Sequence, residues 1–249
     1  MQPYYQDPWV ELYLGDALEI LDRKFVADVI VTDPPYGETS LSWDHWPPGW
    51  PSVLASNAEQ LWCFGSMRMF LAHAGELGEW KFAQDIVWEK HNGSGFAVDR
   101  FRRVHELALH WYQGRWSDLY HEVPRTFDAK ARVVRRSPTD PRWHGARGQT
   151  SYTTTDGGPR LMRSVLKVRS EHRKGADNET QKPLGIVSPL LAYSCPPGGV
   201  VLDPFAGGGT TLLAAKLSGR RAIGVEIREE QCEAAARRLE ATLPVEQSA

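Results

Sequence analysis

The chain has 249 residues, enough for one large domain or one and a half, and it can bury a substantial core. Hydrophobic residues make up 41% of it and charged residues 24%, as in ordinary globular proteins. No apolar run approaches the roughly 20 residues of a membrane span, and the N-terminus lacks the features of a signal peptide. Because its three cysteines lie far apart, we expect a cytoplasmic protein with reduced thiols, no disulfides and no metal site.

The charge is unevenly distributed. The formal net charge is −2, but residues 90–182 contain 19 Lys and Arg against 10 Asp and Glu. The middle of the chain is therefore basic and the remainder acidic. This division indicates a polyanionic partner for the middle segment, with a solvated charged surface as the alternative.

In chain order, the first half alternates short apolar runs with helical stretches. The predicted elements are a strand at 10–14, a helix at 17–23, a strand at 27–32, a loop rich in Trp, Pro and Gly at 38–50, a strand at 60–64, a helix at 67–79, and strands at 82–89 and 106–112.

From 114 to 177 periodic apolar residues become sparse, which predicts an irregular basic insert or small subdomain. Regular elements then return. They are a helix at 184–193, a strand at 200–202, a helix at 210–218, a strand at 222–226 and an amphipathic helix at 229–243. Strands alternating with helices predict a mostly parallel sheet covered on both faces. The chain thus divides into segments 1–113, 114–177 and 178–249.

A tetrapeptide at the end of the second predicted strand is the most informative local feature. Asp33, Pro34, Pro35 and Tyr36 follow the apolar run 27–32. The prolines cannot continue a sheet ladder, so the chain leaves the sheet carrying a carboxylate, a free proline carbonyl and an aromatic ring. Open α/β sheets bind ligands at this end of their strands. Two acceptors and a ring suit a planar group with an exocyclic amine, such as adenine or cytosine; a plain turn is the alternative.

A glycine-rich turn follows a later strand. Residues 203–211 read Asp-Pro-Phe-Ala-Gly-Gly-Gly-Thr-Thr. The turn lacks the Lys of a P-loop before Thr210, and Leu212 stands where a dinucleotide fingerprint has its last glycine. Asp203 at the strand end instead favours a cationic ligand, and Glu226 closes the next strand, where an acid holds ribose hydroxyls. A ribose-bearing cation describes S-adenosylmethionine.

Three blocks, taken in order, resemble a known family. The tetrapeptide at 33–36, Thr-Gln-Lys-Pro at 180–183 and the loop at 203–210 resemble those of the amino-methylating DNA methyltransferases, which modify adenine N6 or cytosine N4. Their order, with a basic insert after the tetrapeptide, resembles the β group. The resemblance implies a Rossmann-like α/β fold of S-adenosylmethionine-dependent methyltransferases: a mostly parallel seven-stranded sheet with helices on both faces, plus an irregular basic target-recognition insert.

The resemblance also implies roles for the matched residues. Asp33 and the Pro34 carbonyl would accept hydrogen bonds from the target amine, Pro35 would complete the tetrapeptide, and Tyr36 would stack on the base. Asp16 would contact the cofactor adenine. The full implied cofactor site consists of Asp16, Lys182, Pro183, Asp203, Phe205, Ala206, Gly207, Gly209, Thr210, Thr211 and Glu226.

The implied reaction is methyl transfer from S-adenosylmethionine to adenine N6 in double-stranded DNA, with the target base flipped out of the stack. Family members acting on cytosine N4 usually carry Ser in place of Asp33, so cytosine is the alternative. A catalytically silent DNA-binding subunit of the same fold is another. Methylation of RNA or of a protein amide is disfavoured, because those families place the cofactor loop first.

The basic insert would read the DNA sequence. Its candidate residues for phosphate or guanine contacts are Arg125, Arg132, Arg135, Arg136, Arg142 and Arg147. We also expect a homodimer, because a chain of this size has little surface with which to wrap a duplex. The expected location is the nucleoid-associated cytoplasm of a bacterium, with a bacterial or phage gene.

Overall fold

The computed structural model describes residues 2–21, 25–94, 98–135, 151–170 and 181–242. The chain forms two compact units. The larger unit consists of Met1–Glu122 and Ser164–Ala249, and the smaller unit is Val123–Arg163. The smaller unit falls within the predicted insert 114–177, and the division of function among the three predicted segments stays a prediction.

The strands are numbered along the chain. They are β1 (Tyr5–Gln6), β2 (Val10–Leu14), β3 (Val29–Thr32), β4 (Gln60–Gly65), β5 (Lys81–Ser94), β6 (Arg103–Tyr112), β7 (Arg125–Thr126), β8 (Arg132–Arg135), β9 (Ser151–Thr154), β10 (Arg160–Leu161), β11 (Val165–Lys167), β12 (Val200–Asp203) and β13 (Arg221–Glu226). In the smaller unit β7 pairs with β10 and β8 pairs with β9, both antiparallel.

The described part of the larger unit contains a nine-stranded sheet in the order β1-β2-β13-β12-β3-β4-β6-β5-β11. Five of its eight neighbouring pairs are parallel, which confirms a mostly parallel sheet. The seven strands from β2 to β5 form the expected sheet. The strand count is nine because the two-residue β1 and the three-residue β11 extend its two edges.

Helices cover both faces of this sheet, as predicted. They are α1 (Ala17–Ile20), α2 (Trp50–Val53), α3 (Met67–His73), α4 (Leu184–Ser194), α5 (Thr210–Leu217) and α6 (Glu229–Glu240). Side chains alternate across a strand, so Val29 and Val31 of β3 pack with α4, α5 and α6. Ile30 points the other way and packs with α1, α2 and α3. The core is therefore two apolar layers separated by the sheet.

Most predicted elements are present, and their ends differ from the predicted ones. The helix predicted at 67–79 is α-helical only to His73 and continues as a 3-10 helix to Leu77, in a stretch that contains the weak helix former Gly75. β5 runs to Ser94 because it forms a long hairpin with β6, irregular after Glu89. β11 lies inside the stretch predicted to be irregular; its three residues are too few to show a period, and pairing with β5 specifies the strand.

The connections of two central strands determine where a ligand site forms. β3 and β12 are parallel neighbours in the middle of the sheet. From β12 the chain continues to β13 on one side, whereas from β3 it continues to β4 on the other. The order of the strands therefore reverses between β3 and β12, and a crevice at such a point is the usual ligand site of an open α/β sheet.

Candidate active site

A cavity of about 1150 Å³ opens at the carboxyl ends of β3 and β12. All four residues of the tetrapeptide line it, namely Asp33, Pro34, Pro35 and Tyr36. The predicted cofactor residues that line it are Asp16, Lys182, Asp203, Phe205, Ala206, Gly207, Thr210, Thr211 and Glu226. Pro183 and Gly209 lie outside the lining: Pro183 precedes α4, and a side chain on Gly209 would meet Ala235 of α6 at 2.9 Å. The fold thus joins two sequence blocks separated by some 170 residues.

Asp203 is buried at the end of β12 and tied to the end of β3. The Thr32 hydroxyl donates to Asp203 Oδ1 at 2.8 Å, and the Phe205 N–H donates to the same oxygen at 3.2 Å. Burial raises the pKa of Asp203 to about 7, although hydrogen bonds from Thr32 and Thr211 oppose the shift. A carboxylate with this pKa is only partly ionised at neutral pH, and a bound cation would favour its ionised form.

The glycine-rich turn holds Glu226 in a fixed orientation. The Gly207 N–H donates to Glu226 Oε2 at 2.8 Å, and the Arg228 N–H donates to Oε1 at 2.9 Å. Arg228 Nε also donates to Oε1, at 3.4 Å, so Oε2 is the oxygen that keeps a further lone pair for another donor. Glu226 at the end of β13 can therefore accept a hydrogen bond from a hydroxyl group in the cavity.

The Thr-Gln-Lys-Pro block lies against the glycine-rich turn. Its first residue, Thr180, lies outside the described residues. The side-chain amide of Gln181 lies 2.8 Å from Thr210 Oγ1, and Arg238 Nη1 of α6 donates to the same hydroxyl at 3.0 Å. These contacts fix the segment before α4, so that Lys182 projects toward the tetrapeptide.

Asp33 belongs to a compact cluster of charged groups. Lys182 Nζ makes an ion pair with Asp33 Oδ2 and lies 2.9 Å from Glu106 Oε1. The Tyr36 hydroxyl donates to Asp33 Oδ1 at 2.6 Å and also lies 2.9 Å from Glu106 Oε1. Lys90 makes an ion pair with Glu106 Oε2. Two carboxylates and two ammonium groups therefore share one pocket wall.

The opposite charges set the protonation states in this cluster. Burial raises the pKa of Asp33, and the Lys182 charge opposes that shift. Burial would also raise the pKa of Glu106, but Lys182 and Lys90 lower it to about 2. Burial acts to lower the pKa of Lys182, yet Asp33 and Glu106 outweigh it and raise this pKa. Glu106 and Lys182 are consequently both charged at neutral pH.

Glu106 and Lys90 are the site residues that the sequence reasoning missed. Glu106 is 7% exposed and begins the apolar part of β6, while Lys90 faces it from β5. A charged residue that opens an otherwise apolar run was the available signal. Such a residue is also common at an ordinary strand end. Glu106 is identified as a site residue only by the pairing of β5 with β6 and by its contact with Lys182.

The tryptophans of the loop after the tetrapeptide have different environments. Trp50 is fully buried and packs edge-on against Phe205, with ring centroids 5.5 Å apart. Trp46 donates its indole N–H to Glu76 at 2.9 Å. Trp43 lines the cavity, and the Arg228 guanidinium lies 4.7 Å from its ring centre. Trp43 is thus the member of this loop placed to meet a ligand.

Asp44 organises the first half of the same loop. Its carboxylate accepts hydrogen bonds from the backbone N–H groups of Gly37, Glu38 and Thr39 at 2.9, 3.1 and 2.7 Å. Burial acts to raise the pKa of Asp44, but these bonds and the Thr39 hydroxyl lower it overall. The chain just after Tyr36 is therefore held in a turn by an ionised side chain.

The mouth of the cavity is basic. Arginine side chains from the β5–β6 hairpin and from α3 line it: Arg68, Arg100, Arg102 and Arg103. Phe101, between two of them, is fully exposed. The sequence reasoning included these residues in the basic segment 90–182, but it named individual DNA-contacting arginines only in the insert. The signal for this second basic site was three arginines and an aromatic within four residues between two predicted strands.

The predicted DNA-contacting arginines of the insert belong to the smaller unit or are not described. Arg125, Arg132 and Arg135 are exposed on its short strands β7 and β8. Arg136, Arg142 and Arg147 lie outside the described residues. The exposure of the first three is compatible with nucleic-acid contact, and the role of all six stays a prediction.

Residues 27–237 match the model of a protein family described as DNA methylase, the N6/N4 methyltransferases. The chain belongs to this family. The sequence-based recognition of an amino DNA methyltransferase is thereby confirmed, and the cofactor is S-adenosylmethionine. Membership of this family does not distinguish adenine from cytosine as the methylated base.

Curated relatives and solved structures agree with this placement. The chain is 26% identical to the type II methyltransferase M.ScaI of Streptomyces caespitosus, over 96% of this chain and 84% of the relative. The M1.HpyAVI–SAM complex superposes with a TM-score of 0.61 at 23% identity, over 92% of this chain and 99% of that one. The cytosine-N4-specific PvuII DNA methyltransferase superposes with a TM-score of 0.62 at 16% identity, over 99% and 91%. These two similarities confirm the fold.

The described residues contain neither a membrane span nor a metal cluster. Within these ranges, no helix has the length and apolar character to cross a membrane. Across the same residues, no group of three or more His, Cys, Asp or Glu side chains is arranged to hold a metal ion.

Replacing Asp203 by Asn should remove part of the pH dependence of stability. An acid whose pKa is higher in the folded than in the unfolded protein stabilises the fold most at low pH, and this contribution is lost as pH rises through the folded pKa, here about 7. Between pH 5 and 7 the wild-type free energy of unfolding should fall by up to about 1.4 kcal/mol per pH unit more than that of Asp203→Asn. Urea unfolding of the cofactor-free proteins measures this difference, and identical slopes would contradict the environment assigned to Asp203.

Proposed function

We propose that this protein transfers the methyl group of S-adenosylmethionine to the N6 amine of adenine in double-stranded DNA. The observation that carries the proposal is the position of Asp33 in the cavity, beside Asp203 at the end of the adjacent strand. An amine acceptor and a cation-binding carboxylate thus face one enclosed volume. Family membership supports the substrate class.

The cofactor cavity fits a ribose-bearing cation. Asp203, with its raised pKa, would be held ionised by the positive charges of the cofactor, and Glu226 Oε2 keeps a lone pair for a ribose hydroxyl. Asp16, which begins α1 and lines the cavity, is the proposed contact of the cofactor adenine. The turn from Phe205 to Thr211 would enclose the methionine part.

The chemistry assigned to the tetrapeptide is orientation and proton acceptance. An exocyclic amine is a poor nucleophile because its lone pair is delocalised into the ring. Hydrogen bonds from both of its N–H groups, to Asp33 and to the Pro34 carbonyl, localise that lone pair on nitrogen. When bound, S-adenosylmethionine supplies an electrophilic methyl group on its sulfonium. Asp33 then takes the proton that the methylated nitrogen releases, and correct placement of the amine contributes much of the rate.

An extrahelical base is required by this geometry. The amine of adenine lies inside the stack of a duplex, whereas Asp33 lies in a cavity of about 1150 Å³. The base must therefore rotate out, which costs a few kcal/mol of stacking and pairing energy. Tyr36 and Trp43, both of which line the cavity, are the proposed stacking surfaces.

Incubation with labelled S-adenosylmethionine and mixed-sequence duplex DNA, followed by mass spectrometry of the nucleosides, tests the proposal. We expect N6-methyladenine, because Asp33 stands where relatives acting on cytosine usually carry Ser. Detection of N4-methylcytosine instead would show that cytosine, and not adenine, is the methylated base. Label in RNA or protein alone would overturn the DNA substrate, and cofactor binding without transfer to any acceptor would support a silent DNA-binding subunit.

Asp33→Ala should abolish methyl transfer and leave the dissociation constant for S-adenosylmethionine within about threefold of wild type. The variant removes the acceptor of the target amine, while Asp203, Glu226 and the glycine-rich turn are unchanged. Single-turnover transfer and calorimetric cofactor binding measure the two effects. Turnover near the wild-type rate would eliminate the role given to Asp33.

The basic mouth of the cavity is proposed as a DNA contact in addition to the insert arginines. Arg100→Ala with Arg102→Ala should weaken duplex binding several-fold and reduce the slope of log affinity against log salt by about 1 for each phosphate that the variant no longer binds. Arg221→Ala is the matched control, because Arg221 is exposed at the opposite, amino end of its strand β13. Because the control removes one charge and the test variant two, an equal weakening per charge removed would show a general charge effect instead of a contact at the mouth.

The expected homodimer and the nucleoid-associated cytoplasmic location stay predictions. The mass of the protein in solution, measured by sedimentation with and without duplex DNA, decides the first. A stable monomer in both conditions would contradict it.

A further inference from the structure

Both carboxylate oxygens of Asp33 have partners from the chain itself. Lys182 Nζ pairs with Oδ2, and the Tyr36 hydroxyl donates to Oδ1 at 2.6 Å. The proposed function, on which this inference rests, requires Asp33 to accept a hydrogen bond from the target amine. Each oxygen keeps a further lone pair, but a carboxylate that already accepts from an ammonium and a hydroxyl is a weaker acceptor for an amine. Release of one of these internal donors would therefore strengthen the hydrogen bond from the target amine to Asp33.

A second acceptor stands beside both donors. Glu106 Oε1 lies 2.9 Å from Lys182 Nζ and 2.9 Å from the Tyr36 hydroxyl oxygen. Lys182 has three N–H donors and can keep Glu106 while it releases Asp33. The single proton of the Tyr36 hydroxyl can turn from one carboxylate to the other by rotation about the C–O bond. Neither change requires a movement of the backbone.

We propose that Glu106 is a positioning residue for methyl transfer: it accepts the hydrogen bonds of Lys182 and Tyr36 when the target amine takes their places on Asp33. Without such an acceptor, entry of the amine would leave a buried ammonium group or hydroxyl without a partner, which is strongly unfavourable. Lys90 pairs with the other oxygen, Oε2, and so holds the Glu106 carboxylate with Oε1 toward Asp33.

The environment of this cluster fits the proposal. Glu106 and Lys182 are 7% and 9% exposed, so water cannot readily replace a protein donor or acceptor there. The lowered pKa of Glu106, a result of Lys182 and Lys90 outweighing its burial, keeps it an acceptor throughout the physiological range. Glu106 stands on β6, outside the three sequence blocks that carry the family resemblance.

The central test is Glu106→Gln, which keeps the size of the side chain and removes its charge. Of the two carboxylates that Lys182 contacts, Asp33 then remains, and the target amine must compete with an undivided ion pair. We expect the single-turnover rate of methyl transfer to fall about tenfold or more, with the dissociation constant for S-adenosylmethionine within about threefold of wild type. A rate within threefold of wild type would overturn the proposal.

The matched control is Glu89→Gln. Glu89 lies on the same hairpin and pairs with Lys167 at 2.7 Å, outside the residues that line the cavity. This change removes the same charge from a surface ion pair, so we expect a rate within twofold of wild type. An equal decrease of the rate in Glu89→Gln would trace the effect to the hairpin and would overturn the specific role of Glu106.

A double variant separates acceptance of hydrogen bonds from charge balance. Glu106→Leu with Lys90→Met removes the acceptor oxygens of Glu106 together with one negative and one positive charge, so the net charge of the cluster equals that of wild type. If Glu106 acts as an acceptor, the slow rate persists. If only net charge matters, the rate recovers to within threefold of wild type, which would overturn the acceptor role.

A measurement without turnover keeps the inference separate from the proposed function. Carbon-13 NMR of the Asp33 carboxyl, assigned by its disappearance in Asp33→Asn, reports the pKa of Asp33 in the cofactor-free protein. Because the charge of Glu106 acts to raise that pKa, Glu106→Gln should lower it. A loosened variant would also lower this pKa by exposing Asp33 to water, so the pKa of Asp203, which burial raises as well, serves as the internal control. We expect the pKa of Asp33 to fall and that of Asp203 to stay unchanged; an unchanged pKa of Asp33, or an equal fall of both, would overturn the proposal.

The other ionisable groups near Asp33 do not reverse this sign. The groups that face Asp33 from the surrounding elements are Tyr36, Cys63, Glu106, Lys182 and Asp203. Burial keeps Tyr36 and Cys63 protonated by raising the pKa of each well above its ordinary value. Asp203 titrates in both proteins and is assigned separately by Asp203→Asn. If the wild-type protein transfers no methyl group to DNA, the proposed function fails, and the titration still decides the link between Glu106 and Asp33.

Discussion

The structure depends on placing two carboxylates at one edge of the sheet, at the ends of two parallel strands that lie side by side. Asp33 follows β3 and Asp203 ends β12, and the Thr32 hydroxyl joins the two strand ends at 2.8 Å from Asp203. Carboxylates in a partly buried crevice repel each other and lose solvation. The remaining features of the site compensate for this placement.

The compensation differs for the two carboxylates. The hydrogen bonds described for Asp203 come from neutral donors, and burial raises its pKa to about 7. A bound cation would therefore favour the ionised form of Asp203. Asp33 has an internal cation, Lys182, whose own charge is shared with Glu106. The first arrangement suits a pocket for a positively charged cofactor. The second places a cation beside a carboxylate that, in the proposed reaction, accepts a hydrogen bond from a neutral amine.

The same region contains direct contacts between the proposed cofactor side and the proposed substrate side of the cavity. Trp43, in the loop after the tetrapeptide, lies against Arg228, whose N–H donates to Glu226. Gln181 meets Thr210, and the next residue, Lys182, meets Asp33. These contacts connect the two sides of the cavity at one edge of the sheet. The long β5–β6 hairpin adds arginines and the exposed Phe101 at the mouth, which an anionic duplex would approach first.

The amino-acid sequence by itself determined the local features of the site. Two prolines after a β-branched run end a strand at a known residue, and a glycine-rich segment between a strand and a helix makes a turn, because these effects depend on neighbouring residues alone. The tetrapeptide, the cofactor turn and the alternation of strands and helices were therefore predictable, and so was the family. The short edge strand β11 was not, because three residues show no period.

Only the tertiary structure decided which charges meet. Lys182 was predicted as a cofactor residue, yet it lies between Asp33 and Glu106, which are 149 and 76 positions away along the chain. Glu106 and Lys90 have no local sequence signal that separates them from ordinary strand residues. Their protonation and hydrogen bonds result from the order of β3, β4, β6 and β5 in the sheet, and strand order is set by long-range pairing that local sequence does not encode.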